Sequence, residues 1–285
     1  MELWNNTEEI LFFKEALKHF ASPEQLFYHL KSGYYAYVPK GIAAEGQTLQ
    51  SRNSLIGQYT EKWCKSLFEP FAKELGLHAV NGVVCEELGL SKKSSADLAF
   101  CKTNEVLQYA DNIKLIFEIK MSIVSNYKYH DADDIELVGN YKQHTGTPSL
   151  FRSDSMLKAI GKSINIRVSG VSSTRIPIII LGNSPINYSY IKKVDYLKTS
   201  GVIQGFWSLN PSLFTDEFTN SPNFGFVTIK KKDILLEYLR NLITEEQNYF
   251  SSMISKNKLG EIISIAYKEK TDILRAEKFL TLIRN

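Results

Sequence analysis

Two short apolar segments constrain the fold of this chain more than any other feature. One runs from Ser94 to Phe100 and the other from Leu115 to Lys120. Each is too short for a stable helix and is bounded by polar residues, so both read as buried strands. A third apolar run, Arg175 to Gly182, reads the same way. Helical periodicity surrounds them. From Ser54 to Leu75, residues Ile56, Tyr59, Trp63, Leu67, Phe68, Phe71 and Leu75 form one broad apolar face. A second helix begins near Asp154, capped by Ser153 or Asp154, with Met156, Leu157, Ile160 and Ile164 as its expected buried stripe. The first part, to Val38, reads as two helices and a tyrosine-rich strand, Tyr34 to Val38. Beyond the third strand come a helix (Tyr188 to Thr199), a strand (Val202 to Leu209), another strand (Gly225 to Ile229) and a helical remainder with Leu235, Leu236, Leu239, Leu242 and Ile243 in register. With 285 residues, 44% of them hydrophobic, and no low-complexity linker, the chain reads as a single domain with one large core or a core plus a small subdomain.

The chemistry lies on the two strand segments. Period-two geometry puts Glu118 and Lys120 on one face, while Phe117, Ile119 and Met121 point the other way into a core. With Asp97, that offers two carboxylates and an ammonium able to converge on one spot. Such a set can hold a hard divalent cation against a phosphodiester and activate a water for in-line attack. Glu118-Ile119-Lys120 is the one place in the chain where Asp or Glu stands two residues before Lys. Read without further context, the same residues are a salt-bridged Glu and Lys on the solvated face of an edge strand, with Asp97 a turn residue. On the preceding helix, about 100° per residue brings Glu61 to the border of the apolar face, where a glutamate can look into a cleft or simply face solvent.

Asp97, Glu118 and Lys120 resemble the PD-(D/E)xK nuclease signature, and the whole chain is similar to a type II restriction endonuclease, with Ala96 standing where that family places proline. The resemblance implies a three-layer α/β/α core with a mixed central sheet, plus N- and C-terminal helical additions. It divides the single domain into an N-terminal part (1–53), a catalytic core (54–210) and a C-terminal strand and helices (211–285). It implies that Asp97 and Glu118 bind Mg²⁺ with the main-chain carbonyl of Ile119, and that Lys120 positions or deprotonates the attacking water and stabilises charge on the phosphate. Glu61, in a helix segment that looks like the family's extra acidic element, would orient the water or complete a second metal site. The implied activity is sequence-specific cleavage of double-stranded DNA, and a palindromic site would favour a homodimer. Other nucleases of the same superfamily (repair, junction-resolving or modification-dependent) and a non-catalytic DNA-binding module remain the alternatives.

Candidate DNA contacts come from polar loops and helix faces. The stretch Pro39 to Asn53, with Gln47, Arg52 and Asn53, could lie along a duplex. A polar stretch, Ser125 to Ser153, follows the catalytic strand, and its insert from Tyr127 to Arg152, with Asn140, Lys142, Gln143, His144 and Arg152, leaves that strand directly and is the leading base-reading element; the Ser208 to Asn223 connection is the second. Ser155, Lys158 and Lys162 are candidate phosphate contacts at the start of the second helix, the two lysines sharing the face opposite the buried stripe, although a solvated surface lysine is the default reading for either one.

Several classes drop out. The formal net charge is only +3, compatible with a local basic cleft but not with a general polycation. Gly161-Lys162-Ser163 is no Walker A motif, because Met156 occupies the position of its first glycine and the segment lies within a helix, so no nucleotide cofactor is expected. The five histidines are scattered, and Cys64, Cys85 and Cys101 sit singly in apolar surroundings, which argues against a zinc site and for a reducing, cytoplasmic compartment. His130 beside Asp131, Asp133 and Asp134 reads as a solvated acidic loop rather than a metal site. No run approaches the ~20 apolar residues of a membrane span, and the acidic N-terminus lacks the features of a signal peptide.

Overall fold

Alternating burial along the strands gives one sheet two buried faces, and each face selects its own helices. The computed structural model describes residues 2–42, 49–213, 220–244 and 256–284. In chain order these contain α1 (Asn6–His19), α2 (Pro23–Leu26), β1 (Tyr28–Leu30), β2 (Gly33–Tyr35), α3 (Gln50–Glu74), β3 (His78–Val83), β4 (Ala96–Cys101) and β5 (Ile113–Ile119). There follow β6 (Asn126–Tyr129), β7 (Ile135–Gly139), α4 (Ser153–Ser169), β8 (Ile178–Gly182), α5 (Ile191–Thr199), β9 (Gly205–Ser208), β10 (Phe226–Thr228), α6 (Lys232–Thr244), α7 (Lys256–Ala266) and α8 (Asp272–Arg284). Six strands form a mixed sheet in the order β10-β9-β8-β5-β4-β3. Strands β3, β4 and β5 run antiparallel, whereas β5, β8, β9 and β10 run parallel. The protein is therefore of the α/β class.

On one face of this sheet, Leu98, Phe100, Leu115, Phe117, Ile179 and Trp207 pack against Trp63, Leu67, Phe68 and Phe71 of α3 and Leu235 and Leu239 of α6. Phe68 stacks on Phe117 with ring centroids 4.9 Å apart, an arrangement that adds to simple area burial. On the other face, Ala99, Cys101, Ile116, Ile178, Ile180 and Phe206 meet Met156, Ala159 and Ile166 of α4 and Val194 of α5. Phe117, Ile119 and Met121 all enter the first cluster, as their period-two spacing predicts. All three cysteines are free and buried. No helix among the described residues is long and apolar enough to cross a membrane.

Three sequence expectations change. The polar stretch after β5 is not a loop: β6 and β7 pair with each other, and β6 joins β2, giving a second, antiparallel sheet in the order β1-β2-β6-β7. Its tight turn is closed by the Asp131 carboxylate, which accepts from the amides of Asp133 and Asp134, while His130 pairs with Glu136 at 3.1 Å. Tyr127 and His144 of this insert are buried rather than free to read bases. His144 stacks on Tyr37 at 4.1 Å and contacts the Val124 carbonyl at 2.9 Å, and burial lowers its pKa. The phase of α4 also differs. Its buried residues are Met156, Ala159, Ser163 and Ile166, and Leu157 and Ile164 are exposed, because the small Ala159 and Ser163 let the helix approach the sheet closely. No side chain caps the helix at Ser153 or Asp154; the cap position is Arg152. The loop expected over Pro39 to Asn53 is already helix from Gln50; its residues 43–48, Gln47 among them, and residues 214–219 of the Ser208 to Asn223 connection lie outside the described residues.

A buried carboxyl joins the two sheets. Glu9 on α1 accepts hydrogen bonds from Trp4 Nε1 (3.1 Å) and from the amides of Val124 (2.9 Å) and Ser125 (3.1 Å), just beyond β5. Burial pushes its pKa up from 4.5 to about 7 against the pull of those donors. The native state thus holds this proton more tightly than the unfolded chain, so stability is greatest below the unfolded pKa and falls as pH rises through about 7. Urea unfolding at pH 5 and pH 8 should show the wild-type chain losing on the order of 3 kcal/mol more than a Glu9→Gln variant over that interval. Equal losses in the two chains would mean that Glu9 titrates normally.

Candidate active site

Register creates the acidic pair. In the β4–β5 ladder Leu98 faces Phe117, which sets Asp97 beside Glu118 on the α4 side of the sheet. Asp97 Oδ2 accepts from the Ile119 amide at 2.7 Å, so the carboxylate takes a rung of the ladder and is fixed by it. Lys120 follows the end of β5. Its Nζ lies 2.6 Å from Glu118 Oε1, 3.1 Å from the Ile119 carbonyl and 3.5 Å from Asp97 Oδ2.

A second ammonium completes the cluster. Lys162, brought inward by the phase of α4, lies 2.5 Å from Glu118 Oε2 and 3.0 Å from Asp97 Oδ1. Its side chain is only 17% exposed, so it is a member of the buried acid cluster and not the surface phosphate contact expected from the helical wheel. Burial works to lower its pKa, but the carboxylates of Asp97 and Glu118 outweigh it and raise the value. Burial and the charge of Asp97 push the Glu118 carboxyl upward, opposed by Lys120 and Lys162. Glu61 on α3 feels the same four groups. Its pKa rises from 4.5 to about 7, first through burial, then through Asp97, with Lys120 and Lys162 pulling against the shift. Asn81 of β3 holds the Glu61 carbonyl at 3.0 Å, tying that turn of α3 to the sheet edge. Asp97, Glu118 and Lys120 therefore do assemble at one place, and Glu61 lies near enough to feel their charges.

A cleft of about 640 Å³ opens beside Lys120. Its walls come from β1 (Tyr28), the start of α3 (Asn53, Ile56), the loop Thr145 to Ser149, and the start of α4 (Arg152, Ser155). Asn53, Arg152 and Ser155 of the expected DNA contacts thus line the cleft, Arg152 while paired with Asp154. Arg52 reaches the same wall, but its guanidinium is 3% exposed, donating to the carbonyls of Leu26 and Ala36 and lying 4.7 Å from the Tyr37 ring centroid. Its role is internal. Lys158 is exposed and pairs with Asp154 at 3.7 Å, outside the cleft. Gln143 is likewise outside the cleft lining, its Oε1 accepting from the Asn140 amide at 2.8 Å.

Sequence reading missed one further element. Ser149 adopts φ +49°, a left-handed conformation that costs a non-glycine residue about 1 kcal/mol. It is held there by its own bonds: Oγ donates to the Lys120 carbonyl at 2.6 Å and accepts from the Asn183 amide at 3.0 Å, while its amide donates to Ser122 Oγ at 2.8 Å. These bonds pin the exits of β5 and β8 together. Gly182 makes that approach possible, since a Cβ there would collide with Leu150. Serine between proline and leucine carries no local sign of such a role; only the fold brings Lys120 to it.

Comparison of the chain with family models, curated proteins and solved structures gives no match.

Proposed function

We propose that the chain is a Mg²⁺-dependent endonuclease of the PD-(D/E)xK type that cleaves double-stranded DNA at specific sequences, as a type II restriction enzyme does. One observation carries this reading: Asp97, Glu118 and Lys120 converge at the end of β5, and Lys120 lines a polar cleft beside them. The mixed sheet with helices on both faces is of the kind the restriction-endonuclease core requires.

The residues fit the cation. Mg²⁺ is usually held by one or two carboxylates, with water and substrate phosphates completing its shell. Asp97 and Glu118 supply that pair, with the Ile119 carbonyl beside them. Among the described residues no three His, Cys, Asp or Glu side chains gather for a metal, so a closed all-protein cage is not what this site offers. When bound, the cation would polarise the phosphate and ease deprotonation of the attacking water. The chain's own groups do the rest. Lys120 Nζ, fixed by Glu118 and the Ile119 carbonyl, is placed to orient the water and to stabilise charge on the phosphate oxygens. Glu61, with a pKa near 7, is suited to take up a proton near neutral pH. Asn53, Arg152 and Ser155 hold the strand in the cleft. A palindromic site would be met by two copies of the chain, and three free, buried thiols suit the reducing cytoplasm.

The test is incubation of the purified chain with unmethylated phage DNA, with Mg²⁺ or with EDTA. Discrete fragments that need Mg²⁺ are expected. A metal-dependent smear would shift the reading to a non-specific or structure-selective nuclease of the same superfamily. Salt-dependent DNA binding without cleavage of modified or unmodified DNA would favour the non-catalytic binding module.

A further inference from the structure

We propose that Lys162 is a built-in competitor for the divalent cation, an ammonium that must leave the acid pair before the metal can bind; the inference rests on the metal-dependent reading above. All four carboxylate oxygens of the pair are already engaged. Asp97 Oδ1 and Glu118 Oε2 hold Lys162, Glu118 Oε1 holds Lys120, and Asp97 Oδ2 holds the Ile119 amide with Lys120 more distantly. Two carboxylates and two ammoniums form a closed, neutral square. A dication brought to the same oxygens meets two positive charges within a few ångströms, and one of them has to give way.

The two lysines differ in how firmly they are placed. Lys120 has a third bond, to the Ile119 carbonyl, and its own carbonyl is clamped by Ser149. Among the described residues the polar partners of Lys162 are the two carboxylates, and it hangs on a flexible four-carbon stem from α4. The first turn of that helix, through Arg152 and Ser155, borders the cleft. A substrate phosphate brought to the acid pair offers the displaced ammonium a new partner, so metal and nucleic acid would reinforce each other's binding. The chain then holds its metal weakly when no substrate is present.

The experiment is a Mn²⁺ titration of the full chain, free of DNA, followed by electron paramagnetic resonance, in wild type, Lys162→Met, Lys162→Arg and Asp97→Asn. Lys162→Met should bind Mn²⁺ about tenfold more tightly than wild type, the equivalent of releasing one charge-assisted hydrogen bond. Lys162→Arg keeps the competing charge and should stay near wild type. A parallel melting measurement should show Mn²⁺ raising the Tm of Lys162→Met more than that of wild type, which also establishes that the variant folds. Equal affinity in wild type and Lys162→Met, lost in Asp97→Asn, overturns the competitor role and leaves the metal site standing. Absence of Mn²⁺ binding in every chain overturns both.

Discussion

Replacement of Lys120 by alanine is expected to lower single-turnover cleavage by about 10³-fold, the range seen when a positioned proton-transfer or charge-stabilising group is removed. DNA binding measured by anisotropy in EDTA should change little, because the ammonium of Lys120, although it lines the cleft, is already paired with Glu118. Its Nζ is 2.6 Å from Glu118 and 3.1 Å from the Ile119 carbonyl, a geometry that fixes where the ammonium can act. Lys162 does not substitute for it, since that side chain reaches the pair from the opposite carboxylate oxygens. Lys120→Arg should also be impaired, as a planar guanidinium cannot occupy the place of a compact ammonium. Wild-type rates in Lys120→Ala would remove this residue from the chemistry and with it the PD-(D/E)xK assignment of the site.

Arg52→Ala is expected to destabilise the protein by about 3 kcal/mol, with a lower urea midpoint and an unchanged slope. The loss has a specific cause. The buried guanidinium donates to the carbonyls of Leu26 and Ala36 and lies against the rings of Tyr37 and Tyr28, so alanine leaves two carbonyls without partners and a void beneath both rings. This arginine joins α3 to the two ends of the N-terminal hairpin, Leu26 before β1 and Ala36 after β2. A DNA-contact role makes the opposite prediction: an unchanged midpoint, with weaker DNA binding and a salt dependence reduced by about one ion. The two outcomes separate cleanly in one variant.

The strands that carry Asp97 and Glu118 were readable because each is an apolar run short enough to exclude a helix. Their side-chain parity followed from period two alone, and Phe117, Ile119 and Met121 lie in the core where that parity puts them. The face of α3 was equally readable: Trp63, Leu67, Phe68 and Phe71 are all buried. The hairpin β6–β7 was not. Both strands are short and lie in a polar stretch, and β6 takes its partner from the N-terminal hairpin, Tyr34 opposite Tyr129, a pairing that no local window contains. The stripe of α4 was misjudged for a related reason. Periodicity favours large apolar residues such as Leu157 and Ile164, yet the sheet accepts the face with Ala159 and Ser163, where the backbones can come close.

By itself, then, the sequence determined that the runs forming β4, β5, β8, β9 and β10 are strands, which way Phe117, Ile119 and Met121 point, and that an aspartate, a glutamate and a lysine stand on β4 and at the end of β5. These are consequences of local geometry, the alternation of a strand and the turn of a helix, and they need no knowledge of neighbours. Tertiary structure alone decided that Asp97 and Glu118 are register partners, that Lys162 turns inward to join them, that Arg52 is an internal strut, and that Ser149 holds the exit of β5. Each depends on contacts between segments far apart in the chain, where close packing and the need to satisfy buried charge choose among orientations that the sequence leaves equivalent.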